Sequence, residues 1–323
     1  MNMQARPPMP EMGELNVSNH LLGDPAGLAA AWERDGYWFF RDVLDKAVIA
    51  DIRRVYIDYL VDMGVADPAD PQHRYNGADY SALPINSNLT RLNEQKVHRL
   101  LHGAPTINSF FQTLFGCDPF WVPFTVHRTN PPVQDVTRPR FDFIHADGSY
   151  NDGLEFLICW VPIGEIDADV GGLAVVEGLH RQPSLHRRDG TRILPIEAAD
   201  VPAEAWRRTD YRPGDVLLMD LHTPHSGLSN ISRDQFRLSM DTRVMPSNGR
   251  LPLAGTILSV DAGMVAVADA AGRHVLHIDE NSFVRGHRGD RLVPADIPAR
   301  YNPGDAVIVA HAEGRVVNMR PQH

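Results

Sequence analysis

The spacing of hydrophobic residues changes near residue 120 from the period of a helix to the period of a strand. Before this point, two segments at residues 25–33 and 46–63 have helical spacing, with glycines just beyond their ends. After it, short apolar runs bounded by Pro, Gly, Asn and Asp lie at residues 120–128, 154–161, 173–176, 216–221 and 236–244. Helices followed by about eight short strands predict a mainly β fold, an antiparallel double-sheet barrel with flanking helices on one face.

Turn-rich stretches divide the chain into three parts. Residues 1–18 are rich in Pro and Met without periodicity, and this predicts a flexible tail. The turn at residues 246–249 ends the main domain, which we assign to residues 19–250. Beyond it, short strand-like runs follow one another without a helix, so residues 251–323 are predicted to form a small all-β C-terminal domain, a β-barrel module.

The overall composition excludes several classes of protein. A net charge of −10 gives no basic field that would draw the chain to nucleic acid or to an anionic membrane. The two cysteines, Cys117 and Cys159, are too few for a disulfide framework and fit a reducing compartment. The first 18 residues have no apolar run, so we expect no signal peptide, and no stretch approaches the roughly 18 apolar residues that span a bilayer. We therefore expect a soluble, cytoplasmic protein with no nucleic-acid or membrane partner.

A His-x-Asp pair at His145 and Asp147 is the main candidate for chemistry. On a strand, residues two apart share a face, so the imidazole and the carboxylate would point at a common ion. A second histidine from another strand would complete the facial triad of non-haem Fe(II) oxygenases, which leaves three coordination positions open. The pair alone is a weak signal, because His277 and Asp279 form another one in the C-terminal part.

The residues around the first pair distinguish it from the second. His225 follows an apolar strand far enough downstream for a barrel to close on itself, and His222 is the alternative distal ligand. For His277 and Asp279 the strand-borne partner would be His311, which lies too close in sequence for a barrel circuit. We therefore predict a metal site formed by His145, Asp147 and His225.

The motifs around these residues resemble those of the phytanoyl-CoA dioxygenase (PhyH) family. The resemblance runs in scattered motifs from about residue 28 to about residue 246 and consists of Trp32-Glu33-Arg34-Asp35-Gly36-Tyr37, the His-x-Asp pair, Gly171-Gly172-Leu173-Ala174-Val175-Val176-x-Gly178-x-His180, and Gly214-Asp215 followed by a strand and His225-Ser226-Gly227-x-Ser229-Asn230. One departure is Glu177-Gly178-Leu179-His180, where members commonly have Pro-Gly-Ser-His. The resemblance implies a double-stranded β-helix (jelly-roll, cupin-like) core that uses Fe(II), 2-oxoglutarate and O₂, with His225 as the distal ligand.

2-Oxoglutarate needs a cationic, preferably forked partner for the carboxylate that does not touch the metal, and this favours arginine. The strand that follows the distal histidine covers residues 237–243, and one of its faces carries Arg237, Ser239, Asp241 and Arg243. Arg237 matches the position of the arginine that binds 2-oxoglutarate in the family, and Ser239 would donate a second hydrogen bond. Arg243 is the alternative anchor. On an earlier strand, His127 or Arg128 would meet the other carboxylate or the substrate.

The predicted activity is hydroxylation of an unactivated C–H bond in a small metabolite, with desaturation and cyclisation left open. The two alternatives are a cupin-like metal-dependent isomerase or hydrolase that does not use 2-oxoglutarate, and a catalytically silent small-molecule-binding protein. Residues proposed to contact the substrate are Arg91, Arg138, Arg140, Tyr150 and Trp160. The C-terminal module would cap the site, form a homodimer or dock a carrier.

Overall fold

The computed structural model describes residues 11–83, 91–135, 140–151, 153–182, 184–189, 192–287 and 290–322. Its helices lie in the first third of the chain: α1 (Pro25–Asp35), α2 (Lys46–Asp62), α3 (Arg91–Glu94), α4 (His98–His102) and α5 (Pro105–Phe115). The core strands are β1 (Gly13–Glu14), β2 (Tyr37–Phe40), β3 (Pro119–Asn130), β4 (Leu157–Pro162), β5 (Gly172–Val176), β6 (Arg188–Asp189), β7 (Arg192–Ile193), β8 (Trp206–Arg208), β9 (Val216–Met219), β10 (His225–Leu228) and β11 (Arg237–Pro246). The predicted order of helices followed by strands is confirmed.

The first two helices begin and end where the sequence predicts. The side chain of Asp45 accepts a hydrogen bond from the backbone N–H of Ala47 and so caps α2. Helix α1 ends at Gly36, which has a φ of 77°. A Cβ on Gly36 would lie 2.5 Å from Nδ1 of His180, so only glycine fits both the backbone conformation and the contact. Two of the sequence motifs therefore meet in space at this glycine.

Two sheets form the barrel. One has the strand order β1-β8-β5-β10 and the other β2-β9-β4-β11-β3, and all neighbouring strands are antiparallel except the pair β1–β8. Buried side chains from both sheets, including Phe39, Val175 and Leu217, fill the space between them. On the outer face of the five-stranded sheet, Ile52 and Phe111 of the helices join a second apolar cluster. The predicted double-stranded β-helix with flanking helices is confirmed.

The last strands form a separate sheet: β12 (Leu253–Val260), β13 (Met264–Asp269), β14 (Gly272–His277), β15 (Phe283–Arg285), β16 (Arg291–Leu292), β17 (Ala306–Ala312) and β18 (Arg315–Pro321). Its order is β14-β13-β12-β17-β18-β15-β16, and a parallel bridge between His277 and Arg315 joins β14 to β18. This pairing closes five of the strands on themselves, around a small core that includes Ile257, Val267 and Val309. The division of the chain into domains stays a prediction.

The N-terminal segment differs from the predicted flexible tail over residues 11–18. Gly13 and Glu14 pair with Arg207 and Arg208 of β8, and Leu15 is buried in the barrel core. These contacts hold the chain from residue 13 onward, because an apolar side chain and a strand edge are available there. Among the residues described, no helix has the length and apolar character that a membrane crossing requires.

Candidate active site

Three side chains with metal-binding atoms converge at one end of the barrel. One ligand atom each from His145, Asp147 and His225 lies within 4.8 Å of the other two. His145 and His225 exchange two backbone hydrogen bonds, of 3.0 and 2.8 Å, so that the main chain holds these two residues side by side. His225 is the first residue of β10, whereas His145 forms only an isolated bridge with it.

Asp147 is placed differently from the prediction of a shared strand face. It begins a 3₁₀ turn, Asp147–Tyr150, whose backbone is fixed by a hydrogen bond from the N–H of Gly148 to the carbonyl of Leu221. Oδ1 of Asp147 nevertheless lies 3.4 Å from Nε2 of His145, because the turn directs the carboxylate back to the histidine. The distal alternative, His222, is 61% exposed and bonded to Asp220, outside this cluster.

Each of the two histidines uses Nδ1 for a hydrogen bond to the backbone, and this leaves Nε2 available for a metal. Nδ1 of His145 lies 3.1 Å from the carbonyl of Phe143, and Nδ1 of His225 lies 3.0 Å from the carbonyl of Thr223. A carbonyl only accepts, so Nδ1 is the donor in each contact, and Nε2 is the nitrogen of each ring that is left to bind a metal. Burial, reinforced by repulsion from His145, lowers the pKa of His225 to about 4, so this ring is neutral at pH 7.

A buried arginine keeps the carboxylate of Asp147 ionised. Nη2 of Arg243 donates to Oδ2 of Asp147 at 2.9 Å, and the Arg243 side chain is only 3% exposed. Burial raises the pKa of Asp147, but the charge of Arg243 opposes this, and the pKa of Asp147 lies well below its ordinary value. Arg243 also pairs with Asp241, so it is occupied by two carboxylates and is not available as an anchor for 2-oxoglutarate.

A cavity of about 660 Å³ opens beside the two histidines. Arg237 and Ser239, at the start of β11, line it and are 6% and 1% exposed. Nη1 of Arg237 donates to the carbonyls of Leu228 and Gly172, at 2.7 and 3.2 Å. Nε of Arg237 and Oγ of Ser239 are both buried with no hydrogen-bond partner in the described chain. Buried polar atoms are rarely left unpaired, so these two fit a bound carboxylate.

His127 does not lie at this cavity, contrary to the prediction. It is on β3, where side chains alternate between the two faces, and its ring lies among the helices with Nδ1 2.6 Å from the hydroxyl of Tyr56. Two more histidines lie close by. The ring centroid of His98 is 6.2 Å from that of His127 and 5.1 Å from that of His102. These histidines belong to the packing of α2 and α4 on the sheet.

This buried histidine cluster predicts sensitivity of the fold to mild acid. Burial lowers the pKa of His98 to about 4 and those of His102 and His127 to about 3. Below pH 6.5 the unfolded chain binds protons that the folded chain does not, so stability falls as the pH falls from 6.5 towards 4. Each histidine contributes at most about 1.4 kcal/mol per pH unit to this loss. Urea unfolding between pH 7 and 5 measures the slope.

The control is a pair of single substitutions. His102→Gln removes one buried titrating ring and is expected to make the pH dependence shallower, whereas His20→Gln, at an exposed position, is expected to leave it unchanged. Equal slopes in both variants would contradict this account.

The residues predicted to contact the substrate have different positions. Trp160 lines the cavity, and Tyr150 lies outside its lining on the 3₁₀ turn, with its ring centroid 6.3 Å from that of His145. Arg91 instead forms an ion pair with Asp62, and Arg140 is buried with Nη2 bonded to the carbonyl of Ala168. These contacts direct both guanidinium groups to the protein itself, so neither is among the described residues that line the cavity. Arg138 lies outside the described residues.

Other residues at the cavity had a weaker signal in the sequence or none. Arg128 lies next to His127 on β3 and faces the opposite way, into the cavity. Its backbone is paired with that of Ser239 on β11. Asp142 and Phe143 also line the cavity and were not predicted, whereas Asp241 lines it from the strand face that the sequence assigns to it. Alternation along β3 separates Arg128 from His127, but the sequence does not show which of the two faces the barrel interior.

The sequence profile of phytanoyl-CoA dioxygenase (PhyH) matches residues 32–239, which is more than half of the chain. The chain belongs to the phytanoyl-CoA dioxygenase family. This PhyH protein is therefore a non-haem Fe(II)- and 2-oxoglutarate-dependent dioxygenase that uses O₂, as the sequence motifs predicted. The comparisons give no support to an isomerase or hydrolase that does without 2-oxoglutarate, or to a catalytically silent binding protein.

Curated relatives are 1-deoxypentalenic acid 11-beta-hydroxylases. The protein of Streptomyces arenae is 28% identical over 240 residues, which cover 71% of this chain and 83% of the relative. That of Streptomyces exfoliatus is 26% identical over 245 residues, with the same coverage. Solved structures with a similar fold include an alpha-ketoglutarate-dependent carbocyclase from nogalamycin biosynthesis (19% identity, TM-score 0.48, 73% of this chain and 88% of that one). Another is EctD from S. alaskensis (18% identity, TM-score 0.48, 77% and 87%).

Proposed function

We propose that this PhyH enzyme hydroxylates a C–H bond of a small, partly apolar carboxylic acid, with iron bound by His145, Asp147 and His225. The observation that carries the proposal is the convergence of these three side chains at the edge of a cavity. Two imidazoles and one carboxylate form the donor set that suits non-haem Fe(II) and leave positions for further ligands. When bound, the iron, 2-oxoglutarate and O₂ together supply the oxidant that removes hydrogen from the substrate.

The protein's own groups would bind and orient 2-oxoglutarate. Two backbone carbonyls accept hydrogen bonds from Arg237 and fix its side chain. Its Nε, which has no partner in the described chain, is therefore already in place to bind a ligand in the cavity. We propose that this Nε and Oγ of Ser239 donate to the carboxylate that does not touch the metal. Burial lowers the pKa of Arg237 to about 10, which leaves the guanidinium charged at pH 7.

Two observations support a carboxylic acid as the substrate. The relatives act on 1-deoxypentalenic acid, according to their names. In this chain, Arg128 lines the cavity, and its charge acts on Asp241 across the cavity wall without forming an ion pair with it. The remaining walls include the apolar side chains of Leu83, Phe143 and Trp160, which would hold a hydrocarbon frame. We propose that Arg128 binds the substrate's carboxylate.

An anaerobic titration tests the co-substrate part of the proposal. Adding 2-oxoglutarate to the Fe(II)-loaded protein is expected to produce a weak charge-transfer band near the middle of the visible range, because the keto acid chelates the iron. Succinate is expected to give no band, since it lacks the keto group. Absence of the band with 2-oxoglutarate would contradict the proposal.

The substrate is tested separately. Succinate release from 2-oxoglutarate is measured with a panel of cyclic and terpenoid acids and with their methyl esters. We expect stimulation by an acid and little by its ester, and we expect Arg128→Gln to remove this preference. An ester that stimulates release as well as its acid would contradict the assignment of Arg128.

The cellular setting and the partners are also proposals. Cys117 and Cys159 are both free thiols, which supports a reducing cytoplasm. The C-terminal sheet exposes Leu258, Met264 and Val275, apolar side chains that would suit a homodimer contact or a carrier surface. The molecular mass in solution tests the dimer.

A further inference from the structure

The C-terminal sheet packs against the turn that carries Asp147, although the family match ends before this sheet begins. Ile308 of β17 is fully buried in the barrel cluster that contains Phe124 and Leu154. A Cβ on Gly153 would clash with Cγ1 of Val317, so the backbone following the turn touches β18 directly. The two parts of the chain thus share an apolar interface close to the metal site.

A polar connection crosses the same interface. Arg320 of β18 is 2% exposed, and its Nη1 donates to Oδ1 of Asn151. Asn151 is also 2% exposed, and its Nδ2 donates to the backbone carbonyl of Asp147 at 2.8 Å. Since both side chains are buried, this path of two hydrogen bonds is shielded from water and from competing partners. It ends on the residue that supplies the carboxylate of the proposed iron site.

Arg320 has no anionic partner that would explain its burial. Among the described residues, no carboxylate lies within 4 Å of its guanidinium group. Its Cζ lies 3.6 Å from the ring centroid of Phe124, and Cζ of Arg243 lies 4.2 Å from the same centroid. A buried charge with no carboxylate in direct contact disfavours the folded state, so an apolar residue would serve packing alone better. The arginine therefore points to a requirement beyond contact between the sheets.

We propose that Arg320 is a positioning residue of the metal site: through Asn151 it fixes the turn Asp147–Tyr150, and with it the carboxylate of Asp147. This assigns to the C-terminal sheet a role in iron binding. The proposal rests on the proposed function, because it takes Asp147 as an iron ligand. Residues that orient a metal ligand typically change metal affinity by about 10–100-fold when they are replaced.

The test measures Fe(II) affinity in the full-length protein under anaerobic conditions, by competition with a chromophoric chelator. Arg320→Met keeps much of the side-chain volume and removes the hydrogen bond, and we expect the dissociation constant to rise by about tenfold or more. Arg320→Lys keeps a donor for Asn151 and is expected to restore most of the affinity. Arg273→Met removes an exposed arginine from the same sheet and is expected to have no effect.

The charge-transfer band with 2-oxoglutarate provides a second measurement, because displacement of the Asp147 carboxylate is expected to shift the wavelength of the band. A folded Arg320→Met protein with wild-type affinity and an unshifted band would overturn the proposal, as would equal losses for the Met and Lys variants. If Arg320→Met does not fold, Asn151→Ala breaks the same path and leaves Arg320 on Phe124; unchanged affinity there would also overturn it. A wild-type protein without the band would instead contradict the proposed function itself.

Discussion

Replacing His225 by alanine is expected to abolish 2-oxoglutarate turnover. His225 is buried, its Nδ1 is committed to the carbonyl of Thr223, and its remaining nitrogen joins the cluster with His145 and Asp147. Without this imidazole, two protein ligands remain for the metal. We expect turnover below about one thousandth of the wild-type rate, the scale on which loss of an essential catalytic group acts. Succinate formation at saturating Fe(II) and 2-oxoglutarate is the measurement.

The matched control is His222→Ala, which removes another histidine from the same loop. His222 is largely exposed and its ring nitrogen lies 3.2 Å from Asp220, so we expect nearly full activity. If His222→Ala lost activity and His225→Ala retained it, the distal ligand would have to be reassigned. Thermal unfolding of both variants separates loss of the ligand from loss of the fold.

Replacing Arg237 by alanine is expected to raise the 2-oxoglutarate concentration required for half-maximal activity by about 10- to 100-fold. A charge-assisted hydrogen bond to a carboxylate contributes on the order of 1.5–3 kcal/mol, and about 1.4 kcal/mol corresponds to a factor of ten in affinity. The substitution also leaves the carbonyls of Leu228 and Gly172 without this donor, so a lower stability is expected as well. The dissociation constant of 2-oxoglutarate, read from the charge-transfer band, reports the binding effect alone.

Two further variants make this second result specific. Ser239→Ala removes a neutral donor and is expected to weaken 2-oxoglutarate binding by less than Arg237→Ala does. Arg233→Ala removes an arginine whose side chain is 94% exposed and is expected to change nothing. Unchanged 2-oxoglutarate affinity in a folded Arg237→Ala protein would remove Arg237 from the co-substrate site.

The sequence predicts those features that depend on local periodicity and on motif order. The barrel strands and α2 follow from apolar spacing and caps within each segment, so they need no knowledge of distant contacts. The triad follows from motifs whose order is characteristic of the family, and Arg237 follows from its place on the strand after His225. In each case the pattern is visible along the chain itself and does not depend on which elements pack against each other.

Features that depend on which face of an element meets which neighbour could not be predicted in this way. The sequence does not distinguish His127 from Arg128 as the residue of β3 that faces the site. Only the packing of α2 on β3 shows that His127 points away from the cavity. Arg91 forms an ion pair with Asp62, which lies 29 positions away, so its guanidinium group binds the protein and not a substrate. The contact between Arg320 and Asn151 joins residues 169 positions apart, and no local pattern reports such a contact.

The paired main-chain hydrogen bonds between His145 and His225 have a consequence for how the protein acquires its metal. These bonds form when the barrel closes. The conformational entropy that is lost when the two imidazoles come together is therefore lost during folding and not during metal binding. Loading should therefore resemble entry into a preformed chelate, with little rearrangement of the backbone at either histidine.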